Sequence, residues 1–246
     1  MAGRSPFAAL WAWALDFALP PRCPGCGTIV DAIHSFCSEC WTQLDFLGPG
    51  GCASCGMPLE GTDFQTCAVC LARPPRIARA RALVAYDELS RRLVIKLKYG
   101  RKVALAKTMA RYMAPLLDAL PPDAVLVPVP LHRQRLWQRG FNQAAILARE
   151  LSKRVAIPTE TGLLKRIKRT PPLKGMNRLQ RRRAVAGAFQ AAGAAELRGR
   201  TVVLVDDVLT TGSTANACAR ALRRAGAARV DLVSWARVVR PAHLSS

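Results

Sequence analysis

The sequence predicts an α/β protein in which helices flank a mainly parallel sheet and a small cysteine-rich module stands in front. Three observations carry this expectation. Segments of strand and helix character alternate from residue 82 to residue 235, the pattern of repeated βα units and a parallel sheet. Eight cysteines fall in four C-x-x-C pairs, all before residue 71. Between residues 201 and 214 an apolar run leads into two acids and a hydroxyl-rich turn.

Size and charge set the outer bounds. A chain of 246 residues, half of them apolar, has room for a real core and for one or two domains. The formal charge of +21 is unevenly placed, with residues 1–70 at net −4 and residues 71–246 at net +25. A field of that sign favours polyanions such as nucleic acid, pyrophosphate or an anionic membrane surface. The bland reading, a solvated arginine-rich surface, carries equal weight. Arg73-Pro74-Pro75-Arg76 marks the change in composition, so the domains are expected at 1–74 and 75–246.

The chain opens on an apolar run, Phe7 to Leu19, well short of the roughly 20 residues of a spanning helix. A lone Arg4 in front, Asp16 inside and Pro20-Pro21-Arg22 after it do not make a signal peptide. Phe7, Leu10, Trp11, Ala14 and Phe17 recur at helical spacing, which predicts a short amphipathic helix packed on the protein. No transmembrane segment is expected.

The cysteines come next. Cys23 and Cys26, Cys37 and Cys40, Cys52 and Cys55, Cys67 and Cys70 are each C-x-x-C, with gaps of ten, eleven and eleven residues between successive pairs. Two thiolates on a tight turn hold one side of a metal, and a second turn completes a tetrahedral Cys₄ site. Gly25, Gly27 and Gly56 suit the positive φ of such knuckles. Metal is preferred to disulfides or a thioredoxin-like redox pair, because neither a secretory signal nor a surrounding βαβ unit accompanies the motif. Four thiolates leave no open position for water, so one or two structural Zn²⁺ are expected rather than a catalytic metal. Sequential pairing would give two tandem ribbons and interleaved pairing a cross-braced module; spacing leaves both open. His34 reads as a polar loop residue, and Gly48-Pro49-Gly50-Gly51 as the turn between the two units.

After the boundary, strands are expected at 82–86, 125–127, 201–205 and 229–235, and helices at 89–99, 103–120, 143–155 and 213–225. Ligands in such sheets bind beyond the carboxyl ends of strands. Two turns occupy that position. The first runs from Pro128 through Pro130, Leu131, His132, Arg133 and Arg135 toward Arg139-Gly140-Phe141-Asn142-Gln143, and could clamp a pyrophosphate. The basic, proline-broken stretch from Lys165 to Arg183 has no periodicity. It reads as a loop that closes over a ligand or meets nucleic-acid phosphates, or simply as a solvated loop. Cys218 reads as a buried helix residue and His243 as a tail residue.

The second turn is the more informative. Val202 to Val205 suits a strand buried on both faces; Asp206 and Asp207 follow, then Thr210, Thr211, Gly212, Ser213 and Thr214 open a helix. Backbone N–H groups at a helix start favour an anion, and adjacent carboxylates favour hydroxyls or Mg²⁺. Together they describe a sugar phosphate. A Walker B strand is disfavoured because the chain holds no G-x-x-x-x-G-K-[ST], and a receiver-type acidic pair would open its domain.

This stretch resembles the binding motif of type I phosphoribosyltransferases, in which the acids hold the ribose hydroxyls of phosphoribosyl pyrophosphate (PRPP) and the Thr-Thr-Gly-Ser-Thr turn holds its 5′-phosphate. Over nearly the whole chain, the order of the C-x-x-C pairs, Lys96-Leu97-Lys98-Tyr99-Gly100, the Pro130–Arg135 and Arg139–Gln143 runs, Asn177–Phe189 and the Asp-Asp turn resembles the ComF/GntX family. That resemblance implies a type I phosphoribosyltransferase-like sheet with an added zinc ribbon. Asp206 and Asp207 fall at the ribose-binding acids, Thr210–Thr214 at the phosphate loop, and Pro130, Leu131, His132 and Arg133 at the pyrophosphate loop. It further implies a cytoplasmic protein of natural transformation, with Mg²⁺ accompanying PRPP and with single-stranded DNA, a competence helicase and DNA-processing proteins as partners. Two functional expectations follow: a Mg²⁺-dependent phosphoribosyltransferase whose acceptor has no readable signature, or a nucleic-acid-binding competence protein that keeps the site as a sensor or scaffold.

Overall fold

The computed structural model describes residues 20–59, 65–99, 103–118, 120–171 and 175–239. The amphipathic helix expected at Phe7–Leu19, and Gly100, Pro172, Lys174 and His243, lie outside them.

Four strands form the central sheet: β1 (Ala80–Ala85), β2 (Val125–Pro128), β5 (Thr201–Leu209) and β6 (Arg229–Arg237). Their order is β1-β6-β5-β2 and every neighbouring pair is parallel. Strands of this kind are apolar on both sides because both faces are covered. In β5, Val203 and Val205 enter one core with Leu126, Val233 and Trp235, while Val202 and Leu204 enter another with Val125, Val127 and Leu232.

The first core is roofed by α3 (Glu88–Tyr99), α4 (Val103–Met113) and α6 (Gln143–Val155). α6 buries Ala144, Leu147, Ala148 and Leu151, the i, i+3, i+4, i+7 stripe of an amphipathic helix. It begins on an Asn142 cap and ends where Ala156 turns left-handed at φ 55°. α4 stops earlier than its apolar pattern suggests. Pro115 cannot donate a helical N–H, and the chain tightens there into a 3₁₀ turn, Ala114–Leu117.

The second core is covered by α9 (Ser213–Arg224) and by an antiparallel pair, β3 (Leu164–Arg166) and β4 (Phe189–Ala191). The basic stretch expected to be a loop therefore starts in a strand. It ends in α7 (Arg178–Ala184), where Asn177 and Gln180 form a reciprocal capping box. Elements of three and seven residues are too short to show a period, and this is why the sequence did not reveal them. α5 (Arg133–Arg139), capped by His132, likewise replaces part of an expected turn, and α8 (Ala194–Leu197) is a single turn before β5.

In front of the sheet lie the two cysteine knuckle pairs, with α1 (Ser38–Thr42) and α2 (Ala68–Ala72) each carrying the last cysteine of its pair. Cys23, Phe36, Cys40 and Leu44 belong to the same buried cluster as Leu93, Met113 and Trp235. The first knuckle pair is thus built into the core of the sheet. Among the described residues no helix is long and apolar enough to cross a membrane.

Candidate functional site

The site is built at the carboxyl end of β5. That strand was expected to stop at Val205; it continues through both acids to Leu209, still paired with β6 at Asp206↔Ser234 and Val208↔Ala236. Its other neighbour stops sooner, since β2 pairs only as far as Pro128↔Val205. The acids therefore lie in a notch at the sheet's end, paired on one side only.

Because side chains alternate along a strand, the two carboxylates leave on opposite faces. Asp207 is 4 % exposed and enters the first core, where the Lys98 ammonium lies 2.8 Å from its Oδ2 and Gln143 Nε2 donates to the same oxygen at 3.4 Å. Gln143 is held in turn by Arg139, whose Nη1 donates to its Oε1 at 3.0 Å. The Arg139 guanidinium lies over the Tyr99 ring, 5.0 Å from its centroid, and donates to the Tyr99 hydroxyl at 3.3 Å. Lys98 and Tyr99 from one motif, and Arg139 and Gln143 from another, thus meet on Asp207. The sequence displayed both motifs and gave no sign that they meet, because the contact joins residues 64 and more positions apart.

Asp206 leaves on the opposite face and makes no ion pair among the described residues. It is half-buried, and its Oδ1 accepts the Asp207 N–H at 2.9 Å. Burial, and after it the Asp207 carboxylate, push its carboxyl well above the ordinary range, with Lys98 acting in the opposite sense.

The cradle follows within four residues. Gly212 takes φ 71° at the N-cap of α9, a left-handed conformation that favours glycine. Asn216 Nδ2 donates to the Gly212 carbonyl at 3.0 Å and fixes the turn. Thr211 and Ser213 hydroxyls lie 2.9 Å apart. Arg181 of α7 donates to Thr210 Oγ1 at 3.0 Å, so the basic helix rests on the lip of this turn. Arg181 was visible in the sequence only as one arginine among many.

The proline turn adjoins the same notch. Val129 donates its N–H to the Val205 carbonyl at 2.9 Å, and Asn142 Nδ2 donates to the Val129 carbonyl at 3.1 Å. Pro130, Leu131 and His132 are half-buried and Arg133 is exposed. His132 Nδ1 accepts from Gln134 N at 3.3 Å and starts α5, which makes its visible role a cap.

The cysteines pair sequentially. Cys23, Cys26, Cys37 and Cys40 form one group and Cys52, Cys55, Cys67 and Cys70 another, with all ligand atoms of a group within 4.8 Å of one another. A tetrahedron with metal–sulfur bonds of about 2.3 Å has sulfur–sulfur edges of about 3.8 Å; Cys26 to Cys37 and Cys55 to Cys67 measure 3.5 and 3.8 Å. Burial and the neighbouring thiols push Cys40 and Cys70 upward. Four sulfurs crowded this way need a cation, and Zn²⁺ fits the donor set. Gly25 serves by its size, since a Cβ there would lie 2.6 Å from Cys40 Sγ; Gly27 and Gly56 have the expected positive φ, 90° and 68°. His34 stays outside the sulfur group, its Nδ1 3.3 Å from Thr108 Oγ1.

Comparison with known proteins finds the double zinc ribbon domain over residues 14–73 and the phosphoribosyl transferase domain over residues 138–241. Competence protein F of Haemophilus influenzae is 33% identical over 225 residues, 88% of this chain and 96% of the relative. DNA utilization protein YhgH of Escherichia coli (strain K12) is 32% identical over 190 residues, 74% of this chain and 81% of the relative. Competence protein ComFC of Bacillus subtilis is 25% identical over 200 residues, 78% of this chain and 79% of the relative.

Proposed function

The chain belongs to the ComF family of competence proteins, and from that membership we propose that the notch at the end of β5 binds PRPP and that the protein acts in the uptake or use of DNA. The observation that carries the ligand is one turn of chain. A half-buried carboxylate, Asp206, stands six residues before the glycine that leads a helix N-terminus rich in hydroxyls, which suits a ribose hydroxyl and a phosphate held at once. Asp206 accepts from the ribose, Thr210–Thr214 take the 5′-phosphate through backbone N–H groups and hydroxyls, and the Pro130–Arg133 turn receives the diphosphate, with Arg133 supplying positive charge. Carboxylate oxygen suits Mg²⁺, and Asp206 is the acid that would meet it, since the Asp207 Oδ2 already faces Lys98. Mg²⁺, when bound with the diphosphate, would supply the charge that lets it depart from the ribose C1.

A second reading of the same site is a ligand sensor without turnover. The Lys98–Asp207 pair favours it, because one of the two acids is already neutralised within the protein. Calorimetric titration with PRPP and Mg²⁺ tests the shared claim on the wild type and on an Asp206→Ala, Asp207→Ala double variant checked for folding. The wild type should bind and the variant should lose at least tenfold in affinity; absence of binding to the wild type would sink both readings. Release of pyrophosphate on adding nucleobases, amines or DNA separates the enzyme from the sensor.

A further inference from the structure

Five arginines converge on one cleft on the flank of α9, which runs from just behind the phosphate turn to the C-terminal end of the helix. Arg76 comes from the segment after the second ribbon, Arg220, Arg223 and Arg224 from α9, and Arg229 from the start of β6; the cleft holds about 590 Å³. Four of them are exposed and Arg220 is half-buried. Among the described residues the carboxylate within ion-pair reach is Asp231, which accepts from Arg229 Nε at 3.0 Å. A helix C-terminus welcomes cations, and that accounts for Arg223 and Arg224. It does not account for Arg76 and Arg229, brought from other elements to the same hollow. Like charges gathered around a concavity focus its field and raise the local concentration of anions.

We propose that this cleft binds the phosphate backbone of single-stranded nucleic acid, independently of its sequence. Arginine forks match phosphate oxygens two at a time. The rest of the lining is proline, alanine and valine. It offers no ring on which a base could stack and no large apolar side chain to sink into a lipid surface. A flexible single strand can follow the hollow, whereas a stiff duplex rests on outer surfaces. From Ser213 to Arg224 the helix rises about 16 Å, so the backbone held at the far end of the cleft lies about that far from the phosphate turn. Arg76 marks the near end, its N–H donating to Asn216 Oδ1 at 2.6 Å; nucleic acid held at the far end, by Arg223 and Arg224, does not compete for the notch, and the proposal stands whether or not the notch turns PRPP over.

Fluorescence polarisation with a labelled oligothymidylate of about thirty nucleotides tests it on the full chain. Arg223→Glu, Arg224→Glu, at the end of the cleft far from the phosphate turn, should weaken binding at least tenfold at low salt. The plot of log K against log salt should become shallower by about 0.7 for each phosphate that is no longer neutralised, about 1.4 for the pair. The melting temperature should fall by only a few degrees, since acids in the last turn of α9 oppose the helix dipole, and the PRPP titration of the folded variant should match the wild type. An Arg91→Glu, Arg92→Glu control on the exposed side of α3 makes the same change in net charge and should weaken binding much less. Equal weakening in the control, or an unchanged slope in the cleft variant, would overturn the proposal. So would tighter binding to a duplex of the same length, or capture by phosphatidylserine vesicles but not by the oligonucleotide. A wild type that binds the oligonucleotide but not PRPP leaves the cleft standing and removes the notch reading; the reverse does the opposite.

Discussion

Lys98 and Asp207 form a pair in which each charge makes the burial of the other tolerable, with side chains 23% and 6% exposed. Burial alone would lower the Lys98 ammonium, but Asp207 holds it above its ordinary value. The stability from that shift is therefore complete below the ordinary lysine pKa and is lost as pH rises through the raised one. Lys98→Met should cost about 3–5 kcal/mol in urea unfolding at neutral pH, because it strands a buried carboxylate. Adding Asp207→Asn should recover much of the loss; no recovery would show that packing rather than charge is at stake. Asp206 behaves in the opposite way. Its raised carboxyl binds its proton more tightly in the folded chain, so the folded state is penalised as pH climbs above the ordinary aspartate range. Asp206→Asn should melt higher than wild type at pH 7, the gap closing near pH 3 to 4, while PRPP affinity falls. At this scale the sequence was legible wherever the chemistry is contiguous, as in Asp206 and Thr210–Thr214. It was opaque for Lys98, Gln143 and Arg181, whose meaning depends on what the fold places opposite them.

Among the elements, α6 shows how a local signal and a distant contact share one residue. Asn142 Oδ1 accepts from Ala144 N at 3.1 Å while its amide reaches back to Val129. Asn142→Ala should therefore lose about 1 kcal/mol as a cap, and weaken PRPP binding as well if the proline turn needs its tether; chemical denaturation and titration read the two separately. The limits of α6 were readable because a cap precedes and a lysine–arginine turn ends its apolar stripe. The length of β5 was not, since two acids look like a strand's end until β6 is known to pair beside them. In the ribbons, elemental analysis should find two zinc per chain, and Gly25→Ala should bring the count toward one by pushing Cys40 Sγ from its place. Two zinc in the folded variant would contradict that account of Gly25.

For the whole molecule, the first ribbon and the sheet share a core: Cys23 and Cys40 are buried in one cluster with Leu93 and Trp235. Lys96 adds a polar tie, donating to the carbonyls of Pro24 and Gly25 at 3.1 and 3.0 Å. Two positions on, Lys98 serves Asp207, so α3 spans both sites. Stripping zinc with a chelator should then lower the thermal transition of the entire protein and weaken PRPP binding, as followed by circular dichroism and calorimetry. A sheet that melts unchanged without zinc would refute the shared core. The sequence showed the composition change near residue 74, but a boundary in composition carries no information about which side chains cross it.

The placement of β1 at the sheet edge governs the order in which the chain can assemble. Its ladder partner is β6, with Ala80 opposite Leu232 and Ala85 opposite Arg237, so the first strand made must wait for the last. The knuckles close over short loops and can trap metal while the ribosome is still working, whereas the sheet depends on a contact across most of the sequence, the kind that forms slowly. During that interval the β6-facing edge of β1 is unpaired and open to other chains, while its other edge can already meet Phe46 of the first ribbon, which bridges to Val84. A zinc-bound ribbon already folded beside it would be the nearest thing the nascent protein has to a chaperone of its own.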